Sequence, residues 1–287
     1  MARSLTELVN TTQDQLLPGF VDALLKHDEV TAAFVAAAGV TDRPSITYNR
    51  LASVPTPVYA DCNTNFTSQN ISGSKFTESL LTLAVQFDVC KIGQNLYSSY
   101  TDVVGSEVAG ALKGLNEKIA NDIVQGGNGS TAIKGIETFA TNSFAIAGGS
   151  VDVGDLDRLI DEVKDKGSRN VFIGAPATVR KVVAELRAES GGMDYQTLAG
   201  TALRTPQYMG YNLLKSEFVD SGKLYFVNPE TGYRLMFGEK EDQEIGGIFA
   251  LESLGKSQTQ MKELWRVYCH VAGIGLNPQA LAVLTGI

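Results

Sequence analysis

Few residues of this chain have the types and spacings that could do chemistry. The densest glycine run is Gly126-Gly127-Asn128-Gly129-Ser130. A phosphate cradle of that kind ends in Gly-Lys-Ser/Thr, whose lysine neutralises the phosphates, and that ending is missing. No strand–Gly-x-Gly-x-x-Gly–helix fingerprint occurs either, so the run reads as a flexible turn. Ile173-Gly174-Ala175-Pro176 leads into a helix start, where free N–H groups can bind an anion. No basic or catalytic side chain follows, and the reading is a helix start in a packed α/β layer. The carboxylates Asp152, Asp155, Asp157 and Asp161, Glu162, Asp165 fall at the beginning and on the outer face of a helix, where they offset its dipole. The two histidines, His27 and His270, are far apart in the chain. Cys62, Cys90 and Cys269 form no Cys-x-x-Cys pair, which argues against zinc. Cys90 and Cys269 sit in strand-like runs and read as small buried hydrophobes. With no Gly-x-Ser-x-Gly and no His-Glu-x-x-His, no catalytic, cofactor-binding or metal-binding residue is nominated.

Composition narrows the class. The 287 residues are 44% hydrophobic and 20% charged, which is ordinary for a globular chain with one large or two small cores. The longest apolar run, Ala32–Val40, is too short to span a membrane. The first residues, MARSLTELVN, carry no apolar signal core, so secretion is not expected. The sequons at Asn10, Asn65, Asn70 and Asn128 then count as polar loop sequence. Net charge is −8, and Lys and Arg are scattered singly. Sequence-independent gripping of nucleic acid needs a basic stripe, and none is visible.

The elements that would position any site follow from periodicity. Leu16–Lys26 carries a helical stripe, and Val30–Ala38 is an alanine-rich helical piece ending at Gly39. Residues 1–44 read as an arm packed on a surface. From 45 to 80 the chain is β-prone but poor in apolar residues, so an extended hairpin there cannot form its own core. Leu80–Ile92 is a solid strand. Residues 97–125 read as one long helix with Val104, Val108, Ala111/Leu112, Leu115, Ile119 and Ile123 inward, capped by Ser99 or Thr101 and stopped by Gly126-Gly127. Gly110 and Gly114 within it suggest close approach of another backbone rather than tolerated flexibility. Residues 150–190 are an α/β unit: a helix ended by Gly167, the strand Val171–Ile173, and a helix opened by Pro176. Gly191–Gly210 reads as polar loop. Strands follow at Leu213–Leu214, Leu224–Val227, Arg234–Phe237 and Ile248–Leu254, with turns at Asn228–Gly232 and Gly255–Gln260. In Leu264–Ile287, Trp265, Val267, Cys269 and Val271 alternate inward. Gly273 and Gly275 break and re-aim this strand, Asn277-Pro278 turns it, and Ala280–Leu284 is woven into a sheet.

This order of parts resembles the tailed-bacteriophage major capsid proteins, the Hong Kong 97-type shell fold, over nearly the whole chain. The resemblance rests on the hairpin opening Thr47-Tyr48-Asn49-Arg50, on Leu80–Ile92 with the long helix, and on Ile173–Thr178. It rests further on Tyr208–Leu213, on Leu224–Val227 with Gly232-Tyr233, and on Pro278-Gln279-Ala280. It implies an α+β fold: an N-terminal arm (1–44), an extended loop (45–80), a peripheral domain with a spine helix (81–135 and 237–271), and an α/β axial domain (136–236 and 272–287). It implies a non-enzymatic subunit that assembles as pentamers and hexamers into an icosahedral shell enclosing phage double-stranded DNA, without sequence-specific contact, cofactor or membrane. A separate scaffolding protein, a portal and a decoration protein would be its partners, the host bacterial cytoplasm its place of assembly, and the virion its location. The inter-subunit residues implied are Tyr48, Arg50, Phe66, Lys75 and Phe76. Relatives that weld subunits covalently use a loop Lys and an Asn at the start of the last long strand. Here Lys75 is present, but that strand starts Met261-Lys262-Glu263, so the resemblance does not extend to the weld. An encapsulin shell enclosing protein cargo is the near alternative, and a cytosolic α/β enzyme the distant one.

Overall fold

A computed structural model describes residues 29–53, 57, 59, 72–90, 103–127, 129–146, 151–164, 167, 169–190, 195–197, 204–239, 243–245, 248–256 and 261–287. The helix expected at Leu16–Lys26, its neighbours to residue 28, the caps Ser99 and Thr101, Cys62 and Phe66 lie outside these residues.

The C-terminal stretch organises the molecule. Strand β14, Lys262–Gly275, is its longest strand among the described residues. One edge pairs antiparallel with β4, Leu81–Cys90, over ten residues. Its other edge pairs first with β13, Phe249–Lys256, and then with β11, Tyr233–Gly238. β12, Gln243–Ile245, and β1, Gly39–Thr41, complete this six-stranded sheet. Trp265, Val267, Cys269 and Val271 are all buried, as the alternation predicts. The helix expected at 97–125 appears as α2, Val103–Val124, whose whole apolar stripe is buried. It stops where Gly126 takes a positive φ of 58°, a conformation costly for residues with a Cβ.

Strand β14 does not break at Gly273; it runs on to Gly275, its last residue, and both glycines make room. A Cβ on Gly273 would collide with the Lys134 carbonyl oxygen and the Tyr233 hydroxyl, and one on Gly275 with the Phe139 ring. Past a short 3₁₀ turn at Pro278–Ala280, capped by the Asn277 side chain, the chain enters β15, Leu281–Thr285. This strand lies between β10, Lys223–Val227, and β5, Asn142–Ala145. The second sheet runs β5-β15-β10-β6-β9-β8-β7, with β6 Val171–Gly174, β7 Tyr195–Thr197, β8 Arg204–Tyr208 and β9 Tyr211–Lys215. One of its faces carries helices α4, Val153–Glu162, and α5, Pro176–Ser190, over Phe172, Leu213, Leu224 and Phe226. Its other face shares a core with the first sheet and α2.

Several expectations are corrected. Helix α1, Glu29–Ala36, is packed more deeply than a piece lying on a surface: Val30 and Phe34 are fully buried, and β1 adds to a sheet edge. An alanine-rich run without an amphipathic stripe fits a helix enclosed on most sides. Gly110 and Gly114 face open space: a Cβ added at either would meet nothing within 4 Å. Helix α4 ends at Glu162, five residues before Gly167, and the Asp155 carboxylate accepts the Asp152 backbone N–H at 3.1 Å at its start. The polar region after Gly191 contains a hairpin, β7–β8, at the sheet edge where Pro206 is tolerated. Cys90 is exposed although Cys269 is buried, because β4 alternates and Cys90 falls on its outer face. The glycine run is a packed turn: the Gly127 and Gly129 N–H groups donate to Ile133 and Ala132 carbonyls at 2.7 and 3.0 Å.

Candidate functional site

The nominated residues concentrate on a two-stranded hairpin, β2 Ser45–Ser53 and β3 Ser72–Ser79, which pairs with neither large sheet. Most of β3 is exposed, so the hairpin does little packing of its own. Its root is different. Tyr48 and Phe76 face each other in register and stack with centroids 5.9 Å apart. The Arg50 guanidinium lies 4.3 Å from the Phe76 centroid and 5.6 Å from that of Phe139, in helix α3, Ile136–Phe139. Its Nε donates to the Gly275 carbonyl at 2.9 Å, and Nη2 donates to the same oxygen and to the Tyr48 hydroxyl. Partial burial pushes the Tyr48 phenol above its ordinary pKa, with the adjacent Arg50 cation working against the shift.

A second anchor sits two residues from Phe76 on the same strand face. The Glu78 carboxylate is buried and accepts from Lys134 Nζ at 2.6 Å. The Lys134 carbonyl in turn accepts from the fully buried Tyr233 hydroxyl at 2.9 Å. Leu80 N–H donates to the Pro44 carbonyl at 3.0 Å and closes the hairpin base. The root is thus clamped to β14, α3 and the turn before α3, while Ser72–Lys75 beyond it are exposed.

Of the five nominated residues, Tyr48, Arg50 and Phe76 come together in this clamp, where each touches its own chain. Lys75 lies apart, exposed, in register with Asn49. Phe66 is outside the described residues. Glu78, Lys134, Phe139 and Gly275 were not nominated. Glu78 had a signal: residues two apart on a strand share a face, so a clamp at Phe76 includes Glu78.

The clamp can hold and aim a hairpin. Among the described residues no group of three His, Cys, Asp or Glu is placed to hold a metal ion, and no helix is long and apolar enough to cross a membrane. His270 shares a hydrogen bond of 2.9 Å between its Nδ1 and the Thr82 hydroxyl, within the β4–β14 pair.

The two anchors make unequal predictions. Lys134→Ala leaves a buried carboxylate without its counter-charge and is expected to cost about 3 kcal/mol. Glu78→Gln leaves a partly solvated ammonium and costs less. Arg50→Ala removes a charged hydrogen bond from a part-buried carbonyl, worth about 2 kcal/mol. Urea midpoints of the three variants check the order; a Glu78→Gln loss equal to that of Lys134→Ala would contradict it.

No family model matches this chain, and no curated protein sequence is similar to it. Solved structures do match in shape. The capsid of cyanophage A-1(L) superposes with a TM-score of 0.72 at 11% identity, covering 91% of this chain and 93% of that one. A holo encapsulin complex from Synechococcus elongatus gives 0.70 at 16% identity, covering 88% and 86%. The capsid of a native GTA particle gives 0.64 at 14% identity, covering 88% and 89%. Matches of this extent, along both chains, show that the protein has the Hong Kong 97-type shell fold.

Proposed function

We propose that this chain is a major capsid protein whose copies assemble, as pentamers and hexamers, into an icosahedral shell around phage double-stranded DNA. The carrying observation is the clamped, outward-running hairpin. Its two described strands, eight and nine residues long, span about 30 Å at roughly 3.3 Å per residue, of which the last residues, 51–53 and 72–75, lie beyond the clamp. A chain that fixes the root so firmly and leaves Ser72–Lys75 exposed just past it has built an arm for another surface, and a neighbouring subunit is the natural one. The division into arm, loop, peripheral and axial parts is proposed with it. So are assembly in a host bacterial cytoplasm, residence in the virion, and a separate scaffolding protein, portal and decoration protein as partners. A net charge of −8 suits a wall that encloses DNA rather than grips it.

The encapsulin likeness supports a second reading, a shell of the same architecture around protein cargo. Electron microscopy of the purified protein tests both. Closed particles are expected; a monomer or dimer by size-exclusion chromatography would sink both and favour a small α/β enzyme. Nuclease-protected DNA in particles from infected cells favours the capsid, and a stoichiometric second protein without DNA favours the encapsulin.

The shell is proposed to be non-covalent, resting on many contacts of ordinary size. Lys262, at the start of β14, is paired with Asp88 across the strands, and no Asn precedes it there. Boiled particles should run on a denaturing gel as one monomer band with or without reductant. A ladder of covalent oligomers would overturn this and point to Lys75.

A further inference from the structure

Basic residues scattered in the sequence are gathered by the fold. Arg180 and Arg187 lie seven residues apart on α5, two turns along one face. Arg204 opens β8 and Lys215 closes β9. All four line one surface depression of about 260 Å³, with Val179 and Val183 also in its wall. Arg187 Nη2 donates to the Tyr195 hydroxyl at 2.8 Å, and Arg180 Nε to the Pro176 carbonyl at 3.2 Å. These neutral acceptors orient the guanidinium groups without compensating their charge.

Among the described residues, ion pairs join carboxylates to Lys113, Lys118, Lys134, Arg169, Lys223, Lys262 and Arg266, and to none of these four cations. The Glu29 carboxylate approaches from α1, where it accepts the backbone N–H of Lys215 at 3.0 Å. The acidic helix α4 lies at the other end of the strands: Asp157 accepts from the Tyr208 hydroxyl, beside the β8–β9 turn. From Tyr211 to Lys215 the strand advances about 13 Å. That exceeds the Debye length of about 8 Å at physiological salt, so α4 barely neutralises the depression. Four like charges therefore share one concavity in a chain of net charge −8.

Guanidinium forks match phosphate oxygens in pairs, and converging cations favour several linked negative charges over a single one. At about 30 Å³ per water, the depression holds about nine waters, the size of a few phosphoryl groups and far less than a duplex. We propose that this depression binds a compact polyphosphate-type anion, two or three linked phosphoryl groups supplied by free polyphosphate or by a nucleic-acid backbone. One subunit carries the whole site, so the proposal stands apart from the shell reading.

Calorimetric titration of the protein with sodium tripolyphosphate at low salt tests it. The expected result is one saturable site per chain with a Kd below about 1 mM, weakened at least about tenfold in Arg187→Gln/Arg204→Gln. Arg180→Gln/Lys215→Gln, an independent pair, should weaken it similarly, while Lys113→Gln on α2 should not. A short thymidine oligonucleotide with matched phosphate count forms the second arm. Equal binding lost in the same variants identifies a nucleic-acid backbone as the source, and absence of that binding identifies the free anion. No saturable tripolyphosphate binding, or binding unchanged in both double variants, overturns the proposal.

Discussion

Removal of Gln279–Ile287 is expected to leave insoluble protein rather than soluble unassembled subunit. The deleted residues include β15, which sits inside the second sheet with β10 on one side and β5 on the other. Its loss strips ladder hydrogen bonds from both neighbours and removes Ala280, Leu281, Ala282, Val283 and Leu284, all buried, most of them from the two apolar clusters. Unpaired backbone groups in a core cost about 1–3 kcal/mol each, so the sum exceeds the stability of an ordinary domain. Trp265→Ala attacks the other sheet. The indole is 6% exposed, and truncating it should cost about 3–5 kcal/mol. Trp265 Nε1 is buried with no hydrogen-bond partner, so Trp265→Phe loses no hydrogen bond and should be much milder. The soluble fraction after expression and the melting of any soluble protein decide this. A cooperatively melting monomer from the truncation would show that β15 is dispensable, against its place in the sheet.

Deleting the hairpin should do the opposite. Leu80 N–H bonds the Pro44 carbonyl at its base, so a short turn can join the cut ends at Ile46 and Leu80 without disturbing either large sheet. Excising Thr47–Ser79 removes Arg50 and Glu78 and leaves their partners, the Gly275 carbonyl and Lys134, to solvent. The subunit is expected to be folded and soluble, somewhat less stable, and unable to assemble. A shorter excision, residues 51–73, keeps Tyr48, Arg50, Phe76 and Glu78 in the clamp; it should retain stability nearly intact and still abolish assembly. Closed particles from either variant would show that the hairpin is not the arm that joins subunits.

A similar logic separates local from global charge effects. Lys223 is held above its usual pKa by hydrogen bonds to Asp220 and Glu137, and the Tyr225 phenol is pushed up to about 12 mainly by burial. Both shifts keep these groups in their neutral-pH forms, so this network adds no pH dependence near neutrality.

For the most periodic stretches, local pattern was enough to say that they become elements and which of their faces turn inward. The alternation of Trp265, Val267, Cys269 and Val271, the three-and-four spacing from Val104 to Ile123, and the Pro176 helix start are all local periodicities. Burial of one face is what such periodicities encode. What meets what was settled only in three dimensions. Arg50 finds its acceptor on Gly275, 225 positions away, and Glu78 finds Lys134. Gly273 and Gly275 looked like breaks because a glycine in a strand has no local use; their use is the Tyr233 and Phe139 rings that need the space. Cys90 looked buried because its run is apolar, yet the alternation of β4 sets it on the outer face with Thr82, Gln86 and Asp88, a local signal that was missed. The four cations around α5 were invisible as a cluster because three elements contribute them. Partners of this kind depend on which strands become neighbours, and that follows from packing the two sheets around a shared core, not from any window of sequence.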